Sequence, residues 1–195
     1  MNGKPLLTEV PRKELLKLNL GSAKQRLPGY LSVDNNPNAD RVDVVHNLDR
    51  LPWPFEDSSV QEIVMDHVLE HLEDTIGVIQ ELYRISADGA RLEIRVPHFS
   101  CNWTHPGHKR AIGVGLFDHF NPAHDEHYGD CRFKVEKVRL HWMRPRYQTT
   151  WPRKLISALI DAPANWSPRI CQRIWCYWVG GFDEIEFWVK VAKSS

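Results

Sequence analysis

Seven stretches of the chain carry apolar and β-branched residues in the short runs that are typical of β-strands. The clearest run is near the end, where Ile185, Phe187, Val189 and Val191 alternate with Glu186, Trp188 and Lys190. Leu92, Ile94 and Val96 alternate in the same way. The pattern predicts strands at about residues 15–20, 30–34, 42–46, 60–66, 90–96, 133–142 and 184–191.

Helical spacing of apolar residues predicts a helix between the fourth and fifth strands. Leu72, Ile76, Ile79 and Tyr83 recur every three to four residues, as on one face of a helix. Asp88-Gly89 follows and is a typical helix stop and turn. The helix should therefore end shortly before the fifth strand begins.

A second helix is predicted late in the chain, from Pro168 to about Val179. Ser167 is a good N-cap residue, and proline suits the first helical position. Gly180-Gly181 provides the stop. Strands that alternate with helices in this way indicate an α/β fold with a mostly parallel sheet.

The first connection departs from this pattern. Only residues 21–29 separate the first two strands, whereas a parallel crossover usually needs a dozen residues or more. We therefore expect the first crossover helix to be shortened to a turn or two. A site beside it would be unusually open.

Composition indicates the number of domains and the cellular compartment. With 195 residues and 42% apolar content, residues 1–195 suit a single globular domain. The net charge is zero, which gives no sign of a nucleic-acid binder. The N-terminus has no apolar core of a signal peptide, and no apolar run reaches membrane-spanning length. The sequence thus predicts a cytoplasmic protein whose four cysteines are reduced thiols.

Candidate chemistry lies at the ends of the first two strands. Gly21 follows the first strand, and a glycine there lets the backbone approach a ligand closely. Asp34 ends the second strand, where a carboxylate can accept hydrogen bonds from both ribose hydroxyls of a nucleoside, although Asp-Asn-Asn-Pro is also strong turn chemistry. Because no G-x-G-x-x-G surrounds Gly21, a dinucleotide is disfavoured.

Three segments are more specific than the glycine turn: LPWPFEDSSV at residues 51–60, HVLEHL at 67–72 and ELYR at 81–84. With the glycine turn they resemble the S-adenosylmethionine-dependent methyltransferases of the Rossmann-like class, and most closely the small group often labelled type 11, whose substrates are unknown. The resemblance covers residues 16–98, the expected cofactor-binding half. Residues 99–195 would form the substrate-side half.

The resemblance implies a sheet of seven mostly parallel strands, in which the last strand is antiparallel. It also implies S-adenosylmethionine as cofactor and methyl transfer to an acceptor, expected to be a small molecule. Carried over residue by residue, it assigns Gly21 and Ser22 to the methionine part of the cofactor, Asp34 to the ribose, Asn47 and Leu48 to the adenine edge, and Asp66 and His67 to the region of the sulfonium and amino groups.

The sequence departs from the family in three places. The second glycine of the first turn is missing from the run Gly-Ser-Ala-Lys, and Asn47 replaces the acid that usually precedes Leu48. The Asn47 carbonyl oxygen can still accept a hydrogen bond from an adenine amino group. Asp88-Gly89-Ala90 replaces the usual Pro-Gly-Gly, which we interpret as neutral.

A catalytic base, if the acceptor needs one, should come from a histidine near the substrate. His98 follows the fifth strand, and His67 follows the fourth. Both would lie where acceptor and cofactor meet, and an imidazole has a pKa near neutrality. We expect His98, or failing it His67, to be the base; the alternative is that His98 only lines the pocket.

Histidines also raise the question of a metal. His67-Val-Leu-Glu70-His71 fits the H-x-x-E-H pattern of some zinc peptidases, but that pattern belongs inside a helix and here it follows a strand. Six histidines lie between residues 98 and 127, near Cys101 and Cys131, without paired C-x-x-C spacing. We interpret this segment as a polar loop region without a metal.

Residues 143–183 are predicted to be an insertion beside the antiparallel strand pair. The segment is rich in tryptophan and arginine, so a substrate lid, a subunit interface and contact with a membrane surface all stay open, as does an anionic or amphipathic substrate. Core packing of a two-helix extension is the favoured interpretation. Two other functions also remain: a non-catalytic S-adenosylmethionine-binding protein and a metal-dependent hydrolase.

Overall fold

One seven-stranded sheet organises the protein. The computed structural model describes residues 15–22, 26–37, 42–101, 105–178 and 180–193. The strands are β1 (Leu16–Leu20), β2 (Leu31–Asp34), β3 (Val44–Val45), β4 (Val60–Asp66), β5 (Ser86–Pro97), β6 (Phe133–His141) and β7 (Glu184–Val191). The helices are α1 (Thr75–Ile85), α2 (Trp151–Trp166) and α3 (Pro168–Trp178).

The strand order is β3-β2-β1-β4-β5-β7-β6. The strands from β3 to β5 pair in parallel, while β7 pairs antiparallel with both β5 and β6. This confirms the predicted α/β fold with an antiparallel last strand. The parallel strands carry the buried apolar side chains expected of a sheet with its core on its faces.

The first crossover is as short as the sequence predicts. Parallel β1 and β2 are neighbours, and residues 21–22 and 26–30 contain no helix; residues 23–25 lie outside the described chain. The backbone N–H groups of Gly21 and Ser22 both donate to the carbonyl of Val33, at 2.8 and 3.2 Å. The chain therefore turns directly over the end of β2.

The limits of α1 differ from the prediction at both ends. The helix begins at Thr75, because the Asp74 side chain accepts a hydrogen bond from the Gly77 N–H at 2.9 Å and caps it. It ends at Ile85, and β5 starts at once. Asp88-Gly89 is therefore not a helix stop. It lies inside β5, where the register with β4 shifts and Gly89 adopts a left-handed conformation.

Two of the family-like segments form one structural clamp. The backbone N–H of Trp53 donates to the Glu81 carboxylate at 2.6 Å, and Arg84 donates to the carbonyls of Trp53 and Phe55. Trp53 and Phe55 are buried against the core. LPWPF and ELYR therefore hold α1 to the loop before β4.

The tryptophan-rich segment packs on the core only in part: Trp142 and Trp175 are partly buried against it, whereas other tryptophans of the segment lie in solvent. Trp151 is 75% exposed, Trp166 91% and Trp178 85%. Only Ser157 and Ala164 of α2 are buried, and no residue of α3 is. Among the described residues, no helix has both the length and the apolar character needed to span a bilayer.

α2 is nevertheless fastened to the sheet. Asn165 accepts a hydrogen bond from the Leu140 N–H at 2.7 Å and donates to the Leu140 carbonyl at 2.8 Å. Asp161 accepts from the Trp142 N–H at 2.7 Å. Because β6 is an edge strand, these two side chains satisfy backbone groups that an edge strand would otherwise leave open.

Candidate active site

Gly21 lies at the carboxyl end of β1 with a φ of 64°, a left-handed conformation that glycine adopts without strain. A Cβ built on it would lie 2.4 Å from Cγ2 of Val68. The missing side chain thus lets Val68 pack directly on the turn. The sequence predicted close approach by a ligand; the structure shows close approach by the loop after β4.

Ser22 and Asp34 lie beside this turn. The Ser22 hydroxyl is buried and has no hydrogen-bond partner among the described residues, so a polar group is missing there. Asp34, at the end of β2, accepts a hydrogen bond from the Asn36 N–H at 3.1 Å. This is the turn that the sequence offered as the alternative role of Asp34. The ribose contact of Asp34 stays a prediction.

Asn47 and Leu48 lie in the loop after β3. The Asn47 carbonyl oxygen accepts a hydrogen bond from the Asp49 N–H at 3.0 Å, which uses one of its two lone pairs. Leu48 is buried, and its carbonyl accepts from the Trp53 indole N–H at 3.0 Å. Leu48 is therefore fixed by the same clamp that holds α1, and the adenine contact of both residues stays a prediction.

His67 follows β4 with a φ of 56°, which is uncommon for a residue with a side chain and typical of strain held at a functional site. Its Nδ1 lies 3.1 Å from Glu70 and its Nε2 lies 2.7 Å from Glu184. Burial alone would lower the pKa of His67, but the hydrogen bonds to Glu184 and Glu70 raise it overall. A carboxylate thus lies at each nitrogen of His67 and favours its protonated form.

A cavity of about 450 Å³ opens beside His67. Arg144 and Arg146 supply positive charge to its wall, and three further histidines and two acids also line it. The described lining residues are His67, Glu70, His71, His105, His108, Arg144, Arg146, Tyr147 and Asp183. Val68 lies in the chain between His67 and Glu70, which both line this cavity, and its side chain packs on Gly21. The cavity therefore adjoins the turn that is predicted to bind the cofactor.

His98 is fully buried, with 0% of its surface exposed. Its Nδ1 lies 2.6 Å from the Ser100 hydroxyl, and its Nε2 makes no well-formed hydrogen bond. Burial lowers the pKa of His98 to about 4, with a small opposing effect of Gln172. The predicted role as a base is untested, but a buried imidazole in this position packs the end of β5 and does not line the cavity.

Sequence reasoning missed several residues of the cavity. Glu184 is separated from His67 by 117 positions, and no periodicity or motif marks it. Arg144 and Arg146 were seen only as local charge in the tryptophan-rich segment. Of the six histidines between residues 98 and 127, the structure brings His105 and His108 to His71, with ring centroids 5.8 and 4.9 Å from it. Spacing alone did not reveal this pairing with the HVLEHL segment.

Comparison with solved structures identifies the fold. An S-adenosylmethionine-dependent methyltransferase from Mesorhizobium loti superposes with a TM-score of 0.57 at 13% identity, over 93% of each chain. A second methyltransferase, from Archaeoglobus fulgidus, gives 0.57 at 13% identity over 92% of this chain and 87% of that one. The chain has the methyltransferase fold. No protein-family model matches the sequence, and no curated protein is similar to it in sequence.

The methyltransferase fold by itself leaves the reaction open. The [4+2]-cyclase SpnF superposes almost as well, with a TM-score of 0.55 at 13% identity, over 93% of this chain and 76% of that one. Function must therefore be argued from the residues of the site.

Proposed function

We propose that this protein transfers a methyl group from S-adenosylmethionine to a small anionic acceptor. One observation carries the cofactor assignment: Gly21, the unpartnered hydroxyl of Ser22 and the carboxylate of Asp34 meet at the carboxyl edge of β1 and β2. This is where open α/β sheets bind nucleoside ligands. A sulfonium cofactor carries no phosphate, so a single glycine turn suffices.

The chain's own residues supply positioning. Asp34 would hold the ribose, and the turn at Gly21–Ser22 would hold the amino-acid part. When bound, S-adenosylmethionine provides an electrophilic methyl group, so most of the rate can come from orientation of the acceptor. The cavity beside His67 would receive that acceptor, with Arg144 and Arg146 as counter-charges for an acidic group.

The proposal does not require a protein base. His98 is buried, and both nitrogens of His67 already face carboxylates. An acceptor atom that is already anionic, such as a carboxylate oxygen, needs no deprotonation. His67 would then orient Glu70 and Glu184 through its two ring nitrogens. A cytoplasmic location stays a prediction.

Calorimetry with S-adenosylmethionine tests the cofactor assignment. We expect wild-type protein to bind it and Asp34→Ala to bind at least about tenfold more weakly, because a charged hydrogen bond contributes roughly 1.5–3 kcal/mol. Asp125→Ala, which removes an exposed acid from the loop before β6, is the matched control. Equal affinity of Asp34→Ala and wild type would contradict the assignment.

Product formation tests the transfer itself and separates an enzyme from a non-catalytic binder. Small carboxylates and phosphates, each paired with a neutral amide analogue, would be screened for release of S-adenosylhomocysteine. Once an acceptor is found, Arg146→Ala should raise KM with a smaller effect on kcat. Turnover that prefers the neutral analogues would overturn the anionic acceptor class.

A further inference from the structure

A second cluster in the same cavity is not used by the cofactor. Glu70 and His71, from the short 3-10 helix after β4, meet His108, which lies in the loop after β5. One ligand atom of each residue lies within 4.8 Å of the others. Two imidazoles and one carboxylate are a common donor set for divalent transition metals.

The orientation of His71 is that of a metal ligand. Its Nδ1 lies 2.9 Å from the carbonyl oxygen of Gly107. Because a carbonyl can only accept, Nδ1 is the donor, and in the neutral imidazole Nε2 is then the nitrogen with the lone pair. Nε2 lies on the Glu70 side, 4.0 Å from Oε1. A backbone carbonyl that fixes the tautomer in this way is the usual support of a metal-binding histidine.

The buried side chain of Glu70 is an independent indication of a bound ligand. The side chain is 1% exposed. One oxygen accepts a hydrogen bond from His67 at 3.1 Å, whereas Oε2 is buried with no hydrogen-bond partner among the described residues. A buried carboxylate oxygen without a partner is costly, and a bound cation would remove that cost.

We infer that Glu70, His71 and His108 bind a divalent transition metal ion. The site differs from the H-x-x-E-H arrangement that the sequence suggested, because His67 is committed to Glu70 and Glu184 and the third ligand comes from a distant loop. Glu70, His71 and His108 line the same cavity as Arg144 and Arg146. An ion there would bind an oxygen of the same anionic ligand that the cavity receives.

Binding of Zn²⁺ and Co²⁺ to the full chain, without S-adenosylmethionine, tests this inference. After treatment with a chelator and dialysis, wild type should bind one ion per chain, and Co²⁺ should give the visible absorption of a site with nitrogen ligands. His108→Ala should weaken binding at least about 100-fold, since it removes one of three ligands. His124→Ala, an exposed histidine in the loop before β6, is the matched control and should bind as wild type does.

Two outcomes would overturn the site: wild type that binds no ion stoichiometrically, or His108→Ala that binds as tightly as His124→Ala. Glu70→Gln is a second test, checked for folding by circular dichroism because Glu70 is buried. The inference does not depend on the proposed function. Asp34→Ala should bind the metal ion as wild type does and bind S-adenosylmethionine weakly. His108→Ala should bind S-adenosylmethionine as wild type does and bind the metal ion weakly.

A separate observation concerns the helix pair α2–α3. Both helices carry large apolar side chains in solvent, and the C-terminal part of α2 forms with α3 an apolar groove of about 520 Å³. The exposed apolar residues of the pair are Trp151, Leu155, Ile156, Leu159, Trp166, Ile170, Ile174, Tyr177 and Trp178.

Basic side chains outnumber acids on the helix pair. Residues 143–182 contain six basic residues and one acid, Asp161. Arg144 and Arg146 line the cavity and Arg169 pairs with Asp118 at 2.5 Å, so the positive charge of this surface comes from Arg153, Lys154 and Arg173. Asp161 is turned toward the sheet, where it accepts from the Trp142 N–H at 2.7 Å and lies 3.8 Å from Nδ1 of His141. Exposed arginine and lysine side chains therefore surround exposed tryptophans, as in helices that lie in a membrane interface.

We propose that α2 and α3 bind the surface of an anionic membrane. Apolar side chains would enter the headgroup region, and Arg153, Lys154 and Arg173 would meet the lipid phosphates. A second copy of this chain is a poorer occupant, because a symmetric contact would place two basic surfaces against each other.

Sedimentation of the protein with vesicles tests this proposal. Binding is expected to phosphatidylserine-containing vesicles, to weaken with salt, and to be much weaker to pure phosphatidylcholine. The double variant Arg153→Glu/Lys154→Glu should bind at least about tenfold more weakly. Arg132→Glu/Lys134→Glu makes the same charge change at the exposed start of β6 and should bind as wild type does. Absence of vesicle binding, or a stable dimer by light scattering, would overturn the proposal.

Discussion

Single residues at the strand ends decide how the site is built. Gly21 permits a left-handed turn and the close packing of Val68, and His67 holds a left-handed conformation between two carboxylates. Gly21 follows β1 and His67 follows β4, so both lie in loops at the carboxyl ends of strands. Backbone strain at such places is retained only when neighbouring groups fix it.

Gly21→Ala tests the packing of the glycine turn. The new Cβ would be strained by φ and would meet Val68 at 2.4 Å, so we expect a loss of about 2–4 kcal/mol in the free energy of unfolding. Gly29→Ala is a matched control, because Gly29 is also left-handed but nothing lies within 4 Å of its Cβ position. It should cost only roughly 1–2 kcal/mol. Urea denaturation measures both.

A double variant separates strain from crowding. Val68→Ala removes the methyl groups that the new Cβ would meet, so Gly21→Ala/Val68→Ala should be more stable than the sum of the two single effects predicts. Strict additivity would contradict the packing role of Gly21.

His98 should make the fold sensitive to acid. Its pKa is lowered to about 4 in the folded protein, against an ordinary value near 6.5 in the unfolded chain. Between these pH values the unfolded chain binds the proton and the folded protein does not, so stability falls as pH falls. From pH 7 to pH 5 this contribution is about 2 kcal/mol.

Comparison with His98→Gln isolates this effect. Both proteins share all other titrating groups, including His141, whose pKa is raised to about 9. The variant should therefore lose less stability than wild type between pH 7 and pH 5, as measured by urea denaturation at each pH. Equal losses would show that His98 does not titrate as its burial predicts.

At the scale of elements, each long connection is tied to the sheet by a few polar side chains. Glu81 and Arg84 of α1 bind the loop that contains Trp53. Asn165 and Asp161 of α2 bind the edge strand β6. His141 of β6 also lies 3.2 Å from Glu186 of β7. The helix pair is thus attached through one face of α2, while its apolar surface remains open.

Asn165→Ala should loosen α2 without unfolding the sheet. The substitution removes hydrogen bonds to both backbone groups of Leu140, each worth roughly 0.5–1.5 kcal/mol. Hydrogen exchange should become faster in α2, α3 and the end of β6, while β4 and β5 keep their protection. Asn121→Ala, which alters an exposed turn, should leave all these regions unchanged. Unaltered exchange in α2 after Asn165→Ala would contradict the fastening role.

At the scale of the molecule, the sheet brings two kinds of site to one edge. The turn of Gly21 and the end of β2 face a cofactor, and the loops after β4 and β5 contribute Glu70, His71 and His108 to the adjoining cavity. Val68, which packs on Gly21 and lies two positions before Glu70, connects the two sites. Because different residues are assigned to the two ligands, each ligand should bind alone and stabilise the folded chain.

A bound cofactor should raise the melting temperature. At about 100 times its Kd, S-adenosylmethionine should add about 2.7 kcal/mol to the free energy of unfolding. For a chain of this size this corresponds to an increase of roughly 5–10 °C in Tm. Asp34→Ala should show little increase at the same concentration, and Asp125→Ala the full one. Thermal scans with and without cofactor measure this, and an equal increase in Asp34→Ala would contradict the binding role.

The sequence by itself determined the fold, because local patterns carried the information. Apolar alternation predicted the seven strands and a mostly parallel α/β sheet, and the resemblance of the LPWPF and HVLEHL segments to methyltransferases implied the antiparallel last strand. Element limits were less well determined: Asp88-Gly89 was mistaken for a helix stop because a bulge and a turn use the same residues.

Only the tertiary structure decided what the side chains contact. Glu184 meets His67 across 117 positions, and His108 meets Glu70 and His71 from another loop, so no local pattern marks either contact. Burial likewise depends on the whole packing: it enclosed His98, which the sequence favoured as a base, and left Trp166 and Trp178 in solvent. Periodicity fixes which residues share a face, whereas the chain's long-range folding fixes what covers that face.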